Sequence, residues 1–427
     1  MNFFSTKNLL LALPVLGLLL GGCKKNELDD YFHAPTNESS DSGFAGLGLP
    51  RVPLSPRYAP GDAVPLYVTY NETDQLRDIT VFQVVNKADS VQTGVYPANG
   101  AFNASGGLLA QAVPYTVPAN AANGVPVRVD VTLTFQNGAK RLRRFTYTVA
   151  QPITLKFGAT PATYRNTLAA TAQSEGDIIG YSLITNETGI GALPTPPAVL
   201  TAANPLFKAV DSLTTFYRIG TGAPVRVGVI RNPSNGAANT RTVDVTIPRN
   251  TNGQPVTYSF TAYGAVQAVT VTAPPINVTN PTALATLRTG RISGGPNATP
   301  DSLAFNLRTG LIEPAANPAT AKDLFVSGVS GGVYLSAANT TRYTKITPLQ
   351  LDRGFYSAPT ANAVGTALYA NGVASAASVS ADLGPVAAGD VYAVRIRAAE
   401  FALLRILSVK QSSAGSNARV RFEYKTL

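Results

Sequence analysis

The chain lacks most of the residues on which catalytic centres are built. Its 427 residues contain one histidine, one cysteine, one methionine and no tryptophan. The histidine is His33 and the cysteine is Cys23, both ahead of the first patterned segment. A Ser-His-Asp triad, a Cys-His pair or a multi-histidine metal centre is therefore excluded from the body of the chain. No Gly-x-x-x-x-Gly-Lys-Ser/Thr segment occurs, so no phosphate-cradling loop is signalled. Charge is scarce as well, at 14% of residues, against a usual share of about 25%. The net charge of +10 is spread over isolated Arg and Lys. With no basic helix and no interleaved aromatics, it leaves no nucleic-acid footprint. Carboxylate chemistry survives, because a glycosidase needs only two acids about 5–10 Å apart. Asp130, Asp244 and Glu423 sit on outward phases of alternating segments. The absence of tryptophan argues against a sugar-cleaving cleft, so the expectation is a non-enzyme without cofactor or metal, and a carboxylate hydrolase weighs least.

What is present begins with an apolar run, Leu9–Leu20, preceded by Lys7 and followed by Gly21-Gly22-Cys23. A basic start, a short apolar core and small residues describe an export signal. A membrane span needs roughly 20 apolar residues, and this run is shorter and broken by Pro14 and Gly17. Leu20-Gly21-Gly22-Cys23 resembles the lipobox of bacterial lipoproteins. That resemblance implies cleavage before Cys23 and acylation of its sulfur and new amino group. Each buried CH₂ adds about 0.8 kcal/mol, and two or more chains hold firmly. An acylated thiol forms no disulfide. Lys24 stands where an inner-membrane retention signal places Asp. Asn26-Glu27-Leu28-Asp29-Asp30 resembles the short charged export signal of Bacteroidota surface lipoproteins. The expected location is the outer membrane with the chain displayed on the cell surface, the periplasmic face being the alternative.

Composition and periodicity divide the remainder. Residues 1–22 read as the signal peptide, and 23–55 as the lipidated cysteine with a flexible stalk rich in Asn, Ser, Gly and Pro. From there period-two alternation dominates and predicts an all-β chain. Val127, Val129, Val131, Leu133 and Phe135 share one phase, and Asn137-Gly138 follows as a hairpin signal, both positions tolerating positive φ. Val225, Val227 and Val229 lead through Asn232–Asn239 to Val243, Val245 and Ile247. Gly61-Asp62 precedes Asn71-Glu72-Thr73 by the spacing at which Gly176-Asp177 precedes Asn186-Glu187-Thr188, and Pro126-Val127-Arg128-Val129 recurs as Pro224-Val225-Arg226-Val227. A repeat of roughly a hundred residues is the size of an immunoglobulin-like sandwich. The expected order is thus Ig-like sandwiches at 56–150 and 151–273, a Pro-rich linker at 274–286, and a distinct C-terminal β-rich domain at 287–427. No convincing amphipathic helix is found, and Glu400–Leu407 reads as a strand.

In the last region Leu303, Phe305 and Leu307 alternate before Arg308-Thr309-Gly310. Asp323-Leu324-Phe325 follows, then Tyr392, Val394, Ile396 and an edge-like Arg419–Lys425. This order resembles the haemophore-like β-rich lipoproteins of Bacteroidota. The resemblance implies their fold but not their ligand, since their haem is held by paired histidines and His33 lies in the stalk.

Asp89-Ser90-Val91, Asp211-Ser212-Leu213 and Asp301-Ser302-Leu303 match the Asp-Ser/Thr-apolar pattern of Bacteroidota O-glycosylation. Ser90, Ser212 and Ser302 are candidate glycan sites; a repeated strand-starting turn capped by Asp is the alternative. The expected work is adhesion to, or capture of, a polysaccharide or protein, with Ser336–Arg342 and Tyr343 as contact loops of the terminal domain. An accessory subunit of an envelope transporter assembly is the other reading.

Overall fold

The structure is a computed structural model and describes residues 45–49, 53–99, 102–103, 108–163, 172–193, 200, 203–295, 303–314, 316–352, 354–372, 382–412 and 417–427. The signal segment, Cys23 and Ser302 lie outside these residues. The chain is all-β and multi-domain. Contacts divide it into two units, residues 1–56 with 60–149, and 57–59 with 150–427. Among the described residues no helix is long and apolar enough to cross a membrane.

The first unit contains β1 (Ala45–Leu47); β2 (Arg57–Tyr58) belongs to the second. Then come β3 (Leu66–Asn71), β4 (Leu76–Val85), β5 (Val91–Pro97), β6 (Phe102–Asn103), β7 (Leu108–Val113), β8 (Pro126–Phe135) and β9 (Lys140–Val149). They form two sheets, β1-β3-β7-β6 and β9-β8-β4-β5. The predicted phase of β8 holds, with Val127, Val129, Val131, Leu133 and Phe135 all buried. The turn after Phe135 takes a form the dipeptide alone does not specify. The Gly138 N–H donates to the Phe135 carbonyl at 3.0 Å, and the Phe135 N–H to the Ala139 carbonyl at 2.9 Å. Gly138 has φ 83°, while Asn137 stays at negative φ. This is a three-residue loop with a bulge at the glycine, in which Asn137 contributes its side chain rather than a left-handed backbone. Its Oδ1 accepts from the Ala139 N–H at 2.9 Å.

The second unit opens with β10 (Leu155–Phe157), β11 (Ala162–Thr163), β12 (Ala172–Ser174), β13 (Ile178–Thr185), β14 (Val210–Ile219), β15 (Val225–Ser234), β16 (Asn239–Thr246), β17 (Val256–Gly264), β18 (Gln267–Thr272) and β19 (Asn277–Thr279). β13 pairs with β10, β11 and β16, while the facing sheet runs β15-β14-β17-β18. Tyr181, Tyr258 and Phe260 meet in the shared core. Half of the sequence repeat is real. The Gly61 N–H donates to the Val117 carbonyl (3.1 Å) and the Val117 N–H to the Asp62 carbonyl (3.0 Å). The Gly176 N–H donates to the Ile247 carbonyl (3.0 Å) and the Ile247 N–H to the Asp177 carbonyl (2.8 Å). Both glycines are left-handed, at φ 82° and 89°, which explains their residue type. Strand order repeats too, β5-β4-β8-β9 matching β15-β14-β17-β18. The Pro-Val-Arg-Val recurrence does not belong to this repeat. Its first copy opens the interior strand β8, its second the edge strand β15, so Val127 and Val129 are buried while Val225 and Val227 are exposed.

The remainder of the second unit comprises β20 (Thr286–Gly294), β21 (Ala304–Asn306), β22 (Leu311–Glu313), β23 (Leu324–Gly328), β24 (Tyr334–Ala337), β25 (Arg342–Lys345), helices α1 (Pro348–Asp352) and α2 (Ala361–Gly372), β26 (Asp382–Pro385), β27 (Val391–Ile396), β28 (Glu400–Gln411) and β29 (Ala418–Thr426). The sheets β20-β29-β28-β27-β25 and β22-β21-β23-β24-β26 close on a core that includes Ile292, Phe305, Leu324, Leu404 and Phe422. Phe305 meets Phe422 edge-to-face at 5.0 Å. Glu400–Leu407 lies in a strand, as read. Arg419–Lys425 is not an edge, because β29 pairs with β20 on one side and β28 on the other. Its charges mark an uncovered face, not an unpaired one. Helix α2 was not anticipated. Its polar face is only Asn362, Thr366 and Tyr369, set among Ala and Gly residues that give little contrast to reveal a helical period. Its start is nevertheless capped, the Thr360 Oγ1 accepting from the Ala363 N–H at 3.3 Å, a hydrogen bond suited to an N-cap.

Candidate functional site

Among the described residues no three His, Cys, Asp or Glu side chains gather as a metal would require. The three outward acids read from the sequence are each engaged. Asp130 is held by Arg144 at 2.5 Å and by Arg128 at 3.1 Å. Asp244 accepts from the Tyr369 hydroxyl. Glu423 takes Arg405 at 2.5 Å and the Tyr356 hydroxyl.

The Asp-Leu-Phe motif has a structural task. Asp323 is fully buried and its carboxylate receives the Leu307 N–H (2.9 Å), the Thr341 hydroxyl (3.2 Å) and Arg397. The Asp323 carbonyl accepts from the Tyr343 hydroxyl at 3.0 Å. Tyr343 is thus a core residue, only 2% exposed, and Ser336 and Thr341 are buried beside it. Ser336–Arg342 with Tyr343 wraps a buried carboxylate, which corrects the expectation of a contact loop. Periodicity could not distinguish an exposed turn from one folded over an acid.

The outer face of β20-β29-β28-β27-β25 is the most chemically organised surface. Helix α2 covers part of it, seating Val364, Ala367 and Leu368 on Val391, Ala393 and Leu403. Next to that cover, the Tyr356 ring lies under Arg405 at 4.2 Å and Lys425 at 4.8 Å from its centroid. Both are cation–π distances. Burial foremost, then Glu423, raises the Tyr356 phenol above its ordinary range. Beyond Tyr356 the register places Arg291 opposite Arg421 and Arg421 opposite Ser408, then Ser293 opposite Arg419 and Arg419 opposite Lys410. Arg291, Lys410, Arg419 and Arg421 are all exposed. The alternation of β29 displays Arg419 and Arg421, but their meeting with Arg291 is set by long-range pairing that no local pattern encodes.

A second concavity of about 550 Å³ opens between β15 and β16 and is lined by Thr215, Val227, Ile230, Val243 and Tyr258 among others. The Tyr258 hydroxyl donates to the Thr246 carbonyl at 2.8 Å. In the first unit β6 pairs along β7, whereas among the described strands none pairs along the corresponding edge of β16.

The candidate glycan serines occupy unlike places. Ser90 is exposed ahead of edge strand β5, and Ser212 is half-buried within β14, the counterpart of β4. The two Asp-Ser pairs are therefore not one repeated turn.

No protein-family model matches the chain, and no curated protein does. Similar solved structures include a DUF4466 family protein from Parabacteroides merdae, 12% identical over 65% of this chain and 100% of that one, with a TM-score of 0.21. Another is a 1.5-MDa bacterial ice-binding adhesin, 12% identical, covering 91% of this chain and 98% of that one, with a TM-score of 0.20. Spo0M, a sporulation control protein from Bacillus subtilis, is 10% identical over 54% of this chain and 89% of its own, with a TM-score of 0.18. Likenesses this remote carry no argument about function.

Proposed function

We propose that the protein is a lipid-anchored, non-catalytic binding protein of the outer cell surface. In this reading Cys23 carries the lipid, the stalk runs from it to β1, which is already paired with β3, and two Ig-like modules act as spacers. The terminal β domain contacts a macromolecular ligand. The observation that carries it is the pairing of a lipobox-like Leu20-Gly21-Gly22-Cys23 with a body in which Asp130, Asp244 and Glu423, the acids singled out for carboxylate chemistry, are each tied into structural contacts. Metabolic labelling with a fatty acid tests the anchor. Wild-type protein takes up label and sediments with membranes, and Cys23→Ser does neither; an unlabelled wild-type protein would contradict the reading.

A second reading, an accessory subunit of an envelope assembly, is favoured by β15. Val225, Val227 and Val229 are exposed on this edge strand, and bare apolar edges invite pairing with another chain. A stoichiometric partner recovered by crosslinking would support it.

A further inference from the structure

We propose that the two uncovered rungs of the terminal sheet, Arg291-Arg421-Ser408 and Ser293-Arg419-Lys410, bind a polyanionic polysaccharide bearing carboxylate or sulfate groups. The inference deepens the proposed function by naming its ligand class, and rests on that reading for its biological setting. Neighbouring strands lie about 5 Å apart, and side chains on one face recur about every 7 Å along a strand. Four cations thus share two adjacent rungs. Like charges directly opposite one another destabilise a sheet. The nearest acid on this face, Glu423, is already taken by Arg405 and Tyr356. Among the described residues none of the four cations forms an ion pair. The fold therefore holds an unneutralised array that costs stability, on a rigid strand face left bare where α2 and Tyr356 end.

The charge is complementary to an anionic polymer, and arginine forks match carboxylate and sulfate oxygens in pairs. The Ser293 and Ser408 hydroxyls add neutral hydrogen-bonding groups suited to sugar hydroxyls. No aromatic stands in either rung, so the stacking platform of single-stranded nucleic acid is missing. Among the described residues both rungs stand on strands of the sheet, with no helix on them to enter a duplex groove. A membrane-binding face joins basic residues to a continuous apolar one; here the exposed large apolar side chains of these strands are isolated, Leu407 at the bulge beside Ser408 and Leu287 two rungs away opposite Lys425.

The test compares the purified full chain with its R291Q/K410Q/R419Q/R421Q variant on dextran sulfate, polygalacturonate and uncharged dextran. Expected is binding to both polyanions that weakens with salt, none to dextran, and a loss of about tenfold or more in the variant. A K140Q/R226Q control, at exposed positions elsewhere, keeps wild-type binding. Thermal melting verifies that each variant is folded. Equal binding by wild type and quadruple variant overturns the proposal, as does absence of binding to both polyanions. Tighter capture of duplex DNA or of phosphatidylglycerol vesicles than of polygalacturonate overturns the ligand class. Surface exposure without polyanion binding would remove this site and leave the proposed function standing. Polyanion binding by a protein shielded inside intact cells would do the reverse.

Discussion

Arg397 grips the buried carboxylate of Asp323 in a two-pronged contact, its Nε 2.8 Å from one oxygen and its second nitrogen 3.2 Å from the other. The pair joins the β27–β28 turn to the start of β23, and so ties the two sheets of the terminal domain together. Breaking a buried pair by removing one partner costs about 3–5 kcal/mol, because the other charge stays buried alone. Asp323→Asn is therefore expected to destabilise the terminal domain by roughly that amount. Urea unfolding followed by tyrosine fluorescence measures it, and a change under about 1 kcal/mol would show that the contact is dispensable.

Two valines from the same tetrapeptide should behave differently. Val129 is wholly buried in β8, whereas Val227 is 49% exposed on β15. Val129→Ala is expected to cost about 1.5 kcal/mol or more, at about 0.8 kcal/mol per buried CH₂ plus a cavity term. Val227→Ala should stay within about 0.5 kcal/mol. Paired denaturation curves decide the matter.

Buried phenols set an alkaline limit. Tyr343 is held well above its ordinary range by burial and then by Asp323. Tyr392 is raised by burial and then by Asp390, and Tyr181 and Tyr258 by burial foremost. Their folded pKa values exceed the unfolded value of about 10. The stability they contribute is fully present below that pH and is lost as pH rises toward the folded values. Ultraviolet titration should show these phenols ionising only as the protein unfolds, while exposed tyrosines titrate earlier. A single titration of all 18 tyrosines near pH 10 without unfolding would contradict this.

Removing one charge from the basic rungs should help the fold. Arg421 faces Arg291 directly, so Arg421→Gln is expected to raise stability by about 0.2–1 kcal/mol. Thermal melting at low salt shows the gain, and high salt should shrink it. A loss of stability would mean that the two arginines share a stabilising partner.

Much of this architecture is legible in the sequence because a half-buried strand writes its exposure every second residue. The phase of β8 follows from that rule, whereas Glu400–Leu407 reads as a strand from its setting and lies inside the longer β28. The Gly61 and Gly176 turns are legible for a different reason, since a left-handed backbone selects glycine. The Pro-Val-Arg-Val recurrence misleads because alternation reports a strand, not whether a second sheet covers it. Helix α2 hides because Asn362, Thr366 and Tyr369 stand out little among the Ala and Gly residues of Ala361–Gly372. Tyr343 and Asp323 are misread in isolation, as burial of a carboxylate depends on Arg397, 74 residues away. The basic rungs are legible only in part: β29 shows its own arginines, but Arg291 and Lys410 join them only through the register of three strands.

The most direct test of the account is proteinase K treatment of intact cells carrying a tag after Leu427, with a periplasmic protein as control. The account predicts that the tag is lost while the control survives, which would set the terminal domain and its basic face outside the cell. A tag protected in intact cells and digested after lysis would contradict it, and would turn attention to an envelope partner at the β15 edge.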